Sequence, residues 1–191
     1  MAKSFPELLR LGKNSPLDFA QIKTIVGHRC NLGFRDHESL PSNPSLSQIL
    51  GSHDAVCILL HVLHGASGIA HWVCLIKGTP QRPVQFFDPL GHDLRGLYKI
   101  TKEEPKLIRA LQGHKYHSNL NKVQAQKTSV RDCGCHCAIR CVFWKWSNRD
   151  YVRFLRTHYG STDDTVTSLC ALHLLDDRMI SAPPKTIRPW Y

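Results

Sequence analysis

Residues 132–146 read DCGCHCAIRCVFWKW, and this stretch decides how the rest of the chain is arranged. The charged or titratable positions after its first two residues are His136, Arg140 and Lys145. A helix that is hydrophobic on nearly every face is buried in a core, so the pattern predicts a central helix over 133–146. Asp132 is of a residue type favoured at the N-cap. Cys133 would then lie at the helix N-terminus, where the dipole and the unpaired N–H groups favour an anion.

Three short apolar runs, partly β-branched, precede this helix at residues 55–63, 72–76 and 84–87. They predict three sheet strands, and the turn residues between the last two predict an antiparallel hairpin. His71 would stand at the start of one strand and Asp88 at the end of the next. Neighbouring antiparallel strands place such residues side by side, so we expect these two side chains to meet.

A thiol, a histidine and a carboxylate in this arrangement are the parts of a nucleophilic site. A free thiol is mostly protonated at neutral pH, so a nucleophilic cysteine needs a base to take its proton. His71 is the predicted base, Asp88 the group that orients it, and Cys133 the nucleophile. An amide donor would stabilise the oxyanion together with the Cys133 backbone N–H. Gln126 is the predicted donor, and Gln124 is the open alternative.

These residues form an ordered pattern. His71-Trp72 comes first, Asp88-Pro89-Leu90-Gly91 follows with its carboxylate seventeen residues later, and Gln126 stands seven residues before Cys133-Gly134. The pattern resembles the adenovirus-type maturation cysteine proteases (adenain-like), which are related to the proteases that remove ubiquitin-like modifiers. The resemblance covers about residues 50–145. It implies an α+β fold with a central mixed or antiparallel sheet packed on a buried helix that carries the nucleophile, with flanking helices.

The resemblance also implies a function. It predicts a thiol-dependent endopeptidase, in particular a viral protease that cleaves virion precursor proteins after small, glycine-containing sequences. In the modifier-removing relatives the tryptophan after the histidine lines a narrow tunnel, so Trp72 is a predicted substrate-binding residue. We expect no cofactor for the chemistry itself, and activation by DNA or a peptide is open. Residues 89–125 contain no cysteine, so a disulfide-linked activating peptide is not expected.

Two alternatives remain. Asp, rather than the Glu usual in adenoviral enzymes, stands at position 88, and Asp132 precedes the nucleophile; both match the branch that deconjugates ubiquitin-like modifiers. The second alternative is a non-enzymatic, basic Cys/His module that binds metal or nucleic acid, suggested by the tract Cys133, Cys135, His136, Cys137 and Cys141. A Cys-x-Cys run on one helix points its thiols apart, so we expect no metal site.

The pattern predicts one domain over residues 1–191. Its expected parts are an N-terminal helical cap (1–50), a catalytic core (51–146), C-terminal helices (147–180) and a tail (181–191). Further expected helices cover 17–26, 46–50, 106–111, 148–160 and 166–175, and a short strand near Val123 would lead into the loop of Gln126.

Composition sets the remaining expectations. A chain of 191 residues with 42% hydrophobic content suits one core, and no apolar run approaches the roughly 20 residues of a membrane span. The first residues lack a secretion signal, so we expect an intracellular monomer, in the host nucleus or virion if viral, with reduced thiols and no membrane partner. The formal charge of +10 favours non-specific DNA as a partner beside protein substrates.

Overall fold

A five-stranded mixed sheet forms the centre of the protein. The computed structural model describes residues 17–62, 69–124, 132–157 and 161–175. The strands are β1 (Leu32–Asp36), β2 (Ala55–Val62), β3 (Ile69–Ile76), β4 (Val84–Phe87) and β5 (Tyr116–Ser118). They lie in the order β1-β2-β3-β4-β5. The two inner pairings, β2 with β3 and β3 with β4, are antiparallel, and the outer pairs are parallel. The architecture is therefore α+β.

Within the described ranges, seven α-helices accompany the sheet. They are α1 (Phe19–Val26), α2 (Leu46–Leu50), α3 (Leu94–Thr101), α4 (Lys106–Leu111), α5 (Cys133–Val142), α6 (Asn148–Thr157) and α7 (Thr162–Leu175). One apolar cluster joins α1, α5, α6 and α7 to one face of the sheet. The other cluster joins α2, α3 and α4 to the opposite face. None of the helices in the described part of the chain is long and apolar enough to cross a membrane.

The central helix is buried as its sequence predicts. Every residue of α5 from Cys133 to Cys141 is buried, and the helix packs against β3 on one side and α1 and α7 on others. It ends at Val142, however, earlier than the predicted Trp146. The Arg140 guanidinium donates hydrogen bonds to the carbonyls of Phe143 and Trp146 at 2.8 and 2.9 Å. These bonds give two backbone carbonyls in the turn after the helix a hydrogen-bond donor.

The predicted strands at 55–63, 72–76 and 84–87 are confirmed as β2, β3 and β4. β3 begins at Ile69, so His71 is its third residue rather than a residue at its start. The strand expected near Val123 is wrong. The Val123 N–H donates to the carbonyl of Pro89 in a loop, and the strand beside β4 is β5 at Tyr116–Ser118. Sheet pairing with β4 selects the earlier segment.

The helix predictions differ from the structure mainly at the ends. α1 begins at Phe19 because Asp18 caps it, accepting from the Gln21 N–H at 2.8 Å. α7 begins at Thr162, four residues before the predicted start at 166. Three elements were not predicted: β1, α3 and β5. The helix predicted over 148–160 corresponds to α6, but its predicted end at Gly160 lies outside the described residues. The predicted 181–191 tail also lies outside them.

Candidate active site

The β3–β4 hairpin brings His71 and Asp88 together. Cys74 of β3 pairs with Phe87 of β4, so the residue after β4 lies beside the first half of β3. Nε2 of His71 lies 2.7 Å from Oδ1 of Asp88. The side chain of Asp88 is fully buried and that of His71 is 10% exposed, so little water competes for this contact. The expected meeting of these two side chains is present.

Asp88 is held from several directions. Its Oδ1 also accepts from the Leu90 N–H at 2.9 Å. Its Oδ2 lies 2.8 Å from Nδ1 of His92 and accepts from the His92 backbone N–H at 3.2 Å. The Asn119 side chain accepts from the Asp88 N–H and donates to the Asp88 carbonyl, at 2.8 and 2.7 Å. The carboxylate therefore has a fixed position and two histidine partners.

Gly91 allows the turn that wraps around this carboxylate. Its φ is +75°, which disfavours residues that carry a Cβ. A Cβ there would lie 2.5 Å from the backbone nitrogen of Lys122. The Gly91 N–H donates to the carbonyl of Asp88 at 2.9 Å, so the turn closes directly over the residue that pairs with His71.

Cys133 is the first residue of α5 and lies near the same histidine. Its thiol interacts with the His71 side chain strongly enough to contribute to the raised pKa of His71. The structure thus brings Cys133, His71 and Asp88 into one chain of contacts. A thiolate formed here would lie at the positive end of the α5 dipole.

The electrostatics of the pair favour the charged states. Burial opposes a charged imidazole, but the hydrogen bonds to Asp88 and Cys133 raise the pKa of His71 to about 10. Burial likewise opposes ionisation of Asp88, but the hydrogen bonds from His71, His92 and the Leu90 N–H hold the pKa of Asp88 well below its usual range. An imidazolium beside a carboxylate is therefore the stable arrangement at neutral pH.

Trp72 lies next to Gly134, the residue after Cys133, but is covered. It is 4% exposed, and its Nε1 donates to the carbonyl of Leu17 at 3.1 Å. The Phe19 ring packs edge-on against it at 5.0 Å between centroids. A Cβ on Gly134 would lie 3.3 Å from Cδ1 of Trp72 and 3.0 Å from Cβ of Leu17. Glycine after the cysteine therefore lets the start of α5 approach the tryptophan closely.

Of the two candidate oxyanion donors, Gln126 lies outside the described residues. Gln124 is described and is buried, with its backbone N–H donating to the carbonyl of Pro89 at 3.0 Å. Its buried Oε1 has no hydrogen-bond partner in the part of the chain that is described.

A second buried polar group lies at the start of α5. Asp132 precedes the helix, as predicted for an N-cap, but its side chain caps no backbone N–H. It faces His136 and Asp163 instead. Nε2 of His136 lies 2.9 Å from Oδ1 of Asp163 and 3.7 Å from Oδ2 of Asp132. Burial raises the pKa of Asp132 to about 6, with the charge of His136 opposing the rise and that of Asp163 adding to it.

The cysteine tract does not gather around His136. All eight cysteines are free and buried. Cys137 and Cys141 contact Cys74 of β3, while Cys135 lies beside Cys170 of α7, whose thiol donates to the Cys135 carbonyl at 3.6 Å. Among the described residues, the group of three close metal-ligating side chains is Asp132, His136 and Asp163, without a thiol.

The sequence analysis did not predict two of the side chains that contact these buried groups, His92 beside Asp88 and Asp163 beside His136. His92 follows Asp88 by four residues, and that spacing within a tight turn was the available signal. Asp163 comes from α7, and nothing in the local sequence indicates that it meets His136.

No protein-family model matches the chain, and a search of curated proteins finds no match.

Proposed function

We propose that this protein is a thiol-dependent endopeptidase with Cys133 as its nucleophile. The observation that carries the proposal is the position of His71, which lies 2.7 Å from the buried Asp88 carboxylate and whose pKa is raised by its interactions with Asp88 and the Cys133 thiol. A base between a thiol and a buried carboxylate is the arrangement that activates a cysteine. The location of the thiol at the N-terminus of α5 supports the same reading, because that helix end favours a thiolate.

The proposed reaction follows from these positions. The Cys133 thiolate attacks the peptide carbonyl carbon, and the charge on the carbonyl oxygen is met by the Cys133 backbone N–H and the Gln126 amide. The His71 imidazolium gives its proton to the leaving amine nitrogen as the C–N bond breaks. His71 then takes a proton from water, which attacks the thioester and releases the acid product and the thiolate. Asp88 keeps the ring oriented throughout.

The proposed substrates are virion precursor proteins, cut after small sequences that contain glycine. Trp72 supports a narrow approach to the nucleophile, because it packs closely against Gly134, where a Cβ would lie 3.3 Å from Cδ1 of the indole. Leu17 and Phe19 now cover the indole, so a substrate that contacts Trp72 would have to displace them. Activation by DNA or a peptide would supply such a change and remains part of the proposal.

The second candidate is removal of ubiquitin-like modifiers, which uses the same groups. The carboxylates at Asp88 and Asp132 favour it, because both match that branch of the resemblance. The substrates separate the two functions. A maturation protease cleaves glycine-containing peptides at rates similar to those on a folded modifier conjugate, whereas a deconjugating enzyme needs the folded modifier and cleaves the short peptide orders of magnitude more slowly.

A thiol-reactive electrophile tests the peptidase proposal, with peptide mapping of the labelled sites at neutral pH. Cys133 is 9% exposed, Cys30 is 5% and the other cysteines are 2% or less, so access alone distinguishes Cys133 only slightly from Cys30. Burial, with the nearby Asp54 charge, raises the pKa of Cys30 to about 12, which keeps that thiol protonated. We expect fast labelling of Cys133 that is lost in Cys133→Ala and slowed at least tenfold in His71→Ala.

The control is Cys30→Ala, which should leave both the labelling rate and peptide turnover unchanged. The assay is repeated with double-stranded DNA present, because the formal charge of +10 favours a polyanion. Labelling spread over several cysteines and unaffected by His71→Ala, with and without DNA, would rule out the proposed nucleophile.

A further inference from the structure

We propose that Asp132, His136 and Asp163 form a binding site for a divalent metal ion of the zinc type. The three side chains lie on two helices, at the start of α5 and in the first turn of α7. All three are buried, and one ligand atom of each lies within 4.8 Å of the others. This site is separate from the Cys133, His71 and Asp88 contacts, and it departs from the sequence expectation of no metal site.

The distances suit a small ion. A tetrahedral zinc ion with nitrogen and oxygen ligands holds them ~2.0–2.2 Å away, which puts neighbouring ligand atoms ~3.3 Å apart. Nε2 of His136 lies 2.9 Å from Oδ1 of Asp163 and 3.7 Å from Oδ2 of Asp132. These separations lie on either side of the tetrahedral value. The third separation, between Asp132 and Asp163, is within 4.8 Å, so all three ligand atoms are close enough to share one ion.

The Asp132 side chain is the independent observation that points to a ligand. An aspartate at an N-cap normally accepts a hydrogen bond from the first turn of its helix. Asp132 does not, and within the described residues neither of its carboxylate oxygens has a hydrogen-bond partner. The residue is fully buried. A buried carboxylate without a hydrogen-bond partner is costly, and a cation bound to its oxygens offsets that cost.

The charges of the cluster lead to the same conclusion. Two ionised carboxylates beside a neutral imidazole carry two negative charges. A divalent ion bound to the three side chains makes the group neutral. The α5 dipole compensates only part of a charge at its N-terminus, equivalent to roughly half a charge. A divalent ion therefore balances this cluster more completely than the helix dipole does.

The ligand types select the class of metal. Calcium and magnesium prefer six or more oxygen ligands, many of them water, which a buried site of three residues does not supply. Zinc accepts one imidazole with two carboxylates and needs only four donor atoms, the fourth being a second carboxylate oxygen. Such a closed site is structural. It would tie α7 to the residue that immediately precedes Cys133.

Metal counting on the full chain tests the proposal. The purified protein is incubated with Zn²⁺, desalted, and analysed for bound zinc by elemental mass spectrometry. We expect about one zinc ion per chain in the wild type, and at least a tenfold loss in Asp163→Asn and in His136→Gln. Asp164→Asn is the matched control, because that neighbouring carboxylate contacts the Ser161 hydroxyl and should leave zinc binding unchanged.

Cys133→Ala separates this site from zinc held by the nucleophile and His71. The proposed site keeps its zinc in that variant. Zinc that is lost in Cys133→Ala and retained in Asp163→Asn would overturn the proposal, as would a wild-type chain that retains no zinc. Cobalt substitution in the wild type gives a readout that does not depend on the folding of any variant. Tetrahedral cobalt bands without a thiolate charge-transfer band are expected, and a strong thiolate band would assign the metal to cysteines instead.

Discussion

Nε2 of His71 and Oδ1 of Asp88 are 2.7 Å apart across the end of the β3–β4 hairpin. A carboxylate at this distance fixes the ring and stabilises its charged form, and an amide does neither well. Asp88→Asn is therefore expected to lower kcat by about a hundredfold or more while KM changes little. Steady-state kinetics on a glycine-containing peptide measure both constants.

Asp93→Asn is the control for that variant. Asp93 is exposed and accepts from the Gly96 N–H at 2.6 Å as the cap of α3, so its change costs helix stability without touching His71. We expect kcat within about twofold of the wild type in this control, because a cap contributes only about 1 kcal/mol to stability. Equal kcat values in Asp88→Asn and the wild type would show that Asp88 does not orient the base.

The same contact predicts how activity depends on pH. The pKa of His71 is raised to about 10, so the imidazolium persists through neutral pH and is lost as the pH rises toward 10. We expect kcat/KM to fall with an alkaline limb near pH 10 in the wild type. The limb should move to lower pH in Asp88→Asn, because the hydrogen bond to Asp88 raises this pKa.

The contribution of His71 to the stability of the fold should also be lost as the pH rises. The folded pKa of His71 lies above the unfolded value of about 6.5, so its contribution is complete below about pH 6.5 and is lost progressively as the pH rises toward 10. Intrinsic fluorescence at each pH shows where the protein is still folded, and rates are compared only there. Identical alkaline limbs in the wild type and Asp88→Asn would contradict the assigned cause of the shift.

His92 is predicted to support Asp88 without taking part in proton transfer. Its Nδ1 lies 2.8 Å from Oδ2 of Asp88, on the side of the carboxylate away from His71. His92→Gln keeps a donor near that oxygen, so we expect a loss in kcat of severalfold only, whereas His71→Gln should abolish turnover. His114→Gln, at an exposed position, is the control. A loss in His92→Gln as large as that in His71→Gln would make His92 the better candidate for the base.

The sequence predicted those parts of the protein whose patterns are local. The apolar runs of β2, β3 and β4 and the all-round apolar face of α5 were sufficient to place four central elements. Their order also put Asp88 beside His71, because a short hairpin leaves few alternative pairings.

The missed parts depend on distant partners. β1 is only five residues long, LGFRD, and becomes a strand by pairing in parallel with β2. The strand expected near Val123 formed instead at Tyr116–Ser118, where β4 offers a partner. Asp132 was predicted to cap α5, but its side chain is buried and faces His136 and Asp163 instead. Contacts between residues this far apart in sequence leave no periodic signal.

Arg140 is predicted to stabilise the fold rather than the reaction. It is fully buried in α5, donates to the Asn148 side chain at 3.0 Å and to two turn carbonyls, and its guanidinium lies 5.3 Å from the Tyr151 ring centre. Arg140→Met leaves Oδ1 of Asn148 without this donor and removes one of two donors at each carbonyl, which should lower the free energy of unfolding by about 2–4 kcal/mol. Urea unfolding measures the change.

Arg153→Met is the matched control, because the Arg153 side chain is 67% exposed and pairs with Asp150 at the surface. An exposed pair of this kind contributes less than about 1 kcal/mol. Unfolding midpoints that agree between Arg140→Met and Arg153→Met would show that the Arg140 hydrogen bonds do not stabilise the protein.

Gln126 and Gln124 are distinguished by which quantity each variant changes. An oxyanion donor acts only on the transition state, so Gln126→Ala should reduce kcat by about a hundredfold, with KM and the unfolding midpoint unchanged. Gln124 is buried beside the Pro89 turn, so Gln124→Ala should lower stability through lost packing and leave kcat within severalfold of the wild type. Kinetics and urea unfolding on both variants give the comparison. The reverse result, a hundredfold loss of kcat in Gln124→Ala and none in Gln126→Ala, would assign the oxyanion donor to Gln124, two residues earlier in the loop.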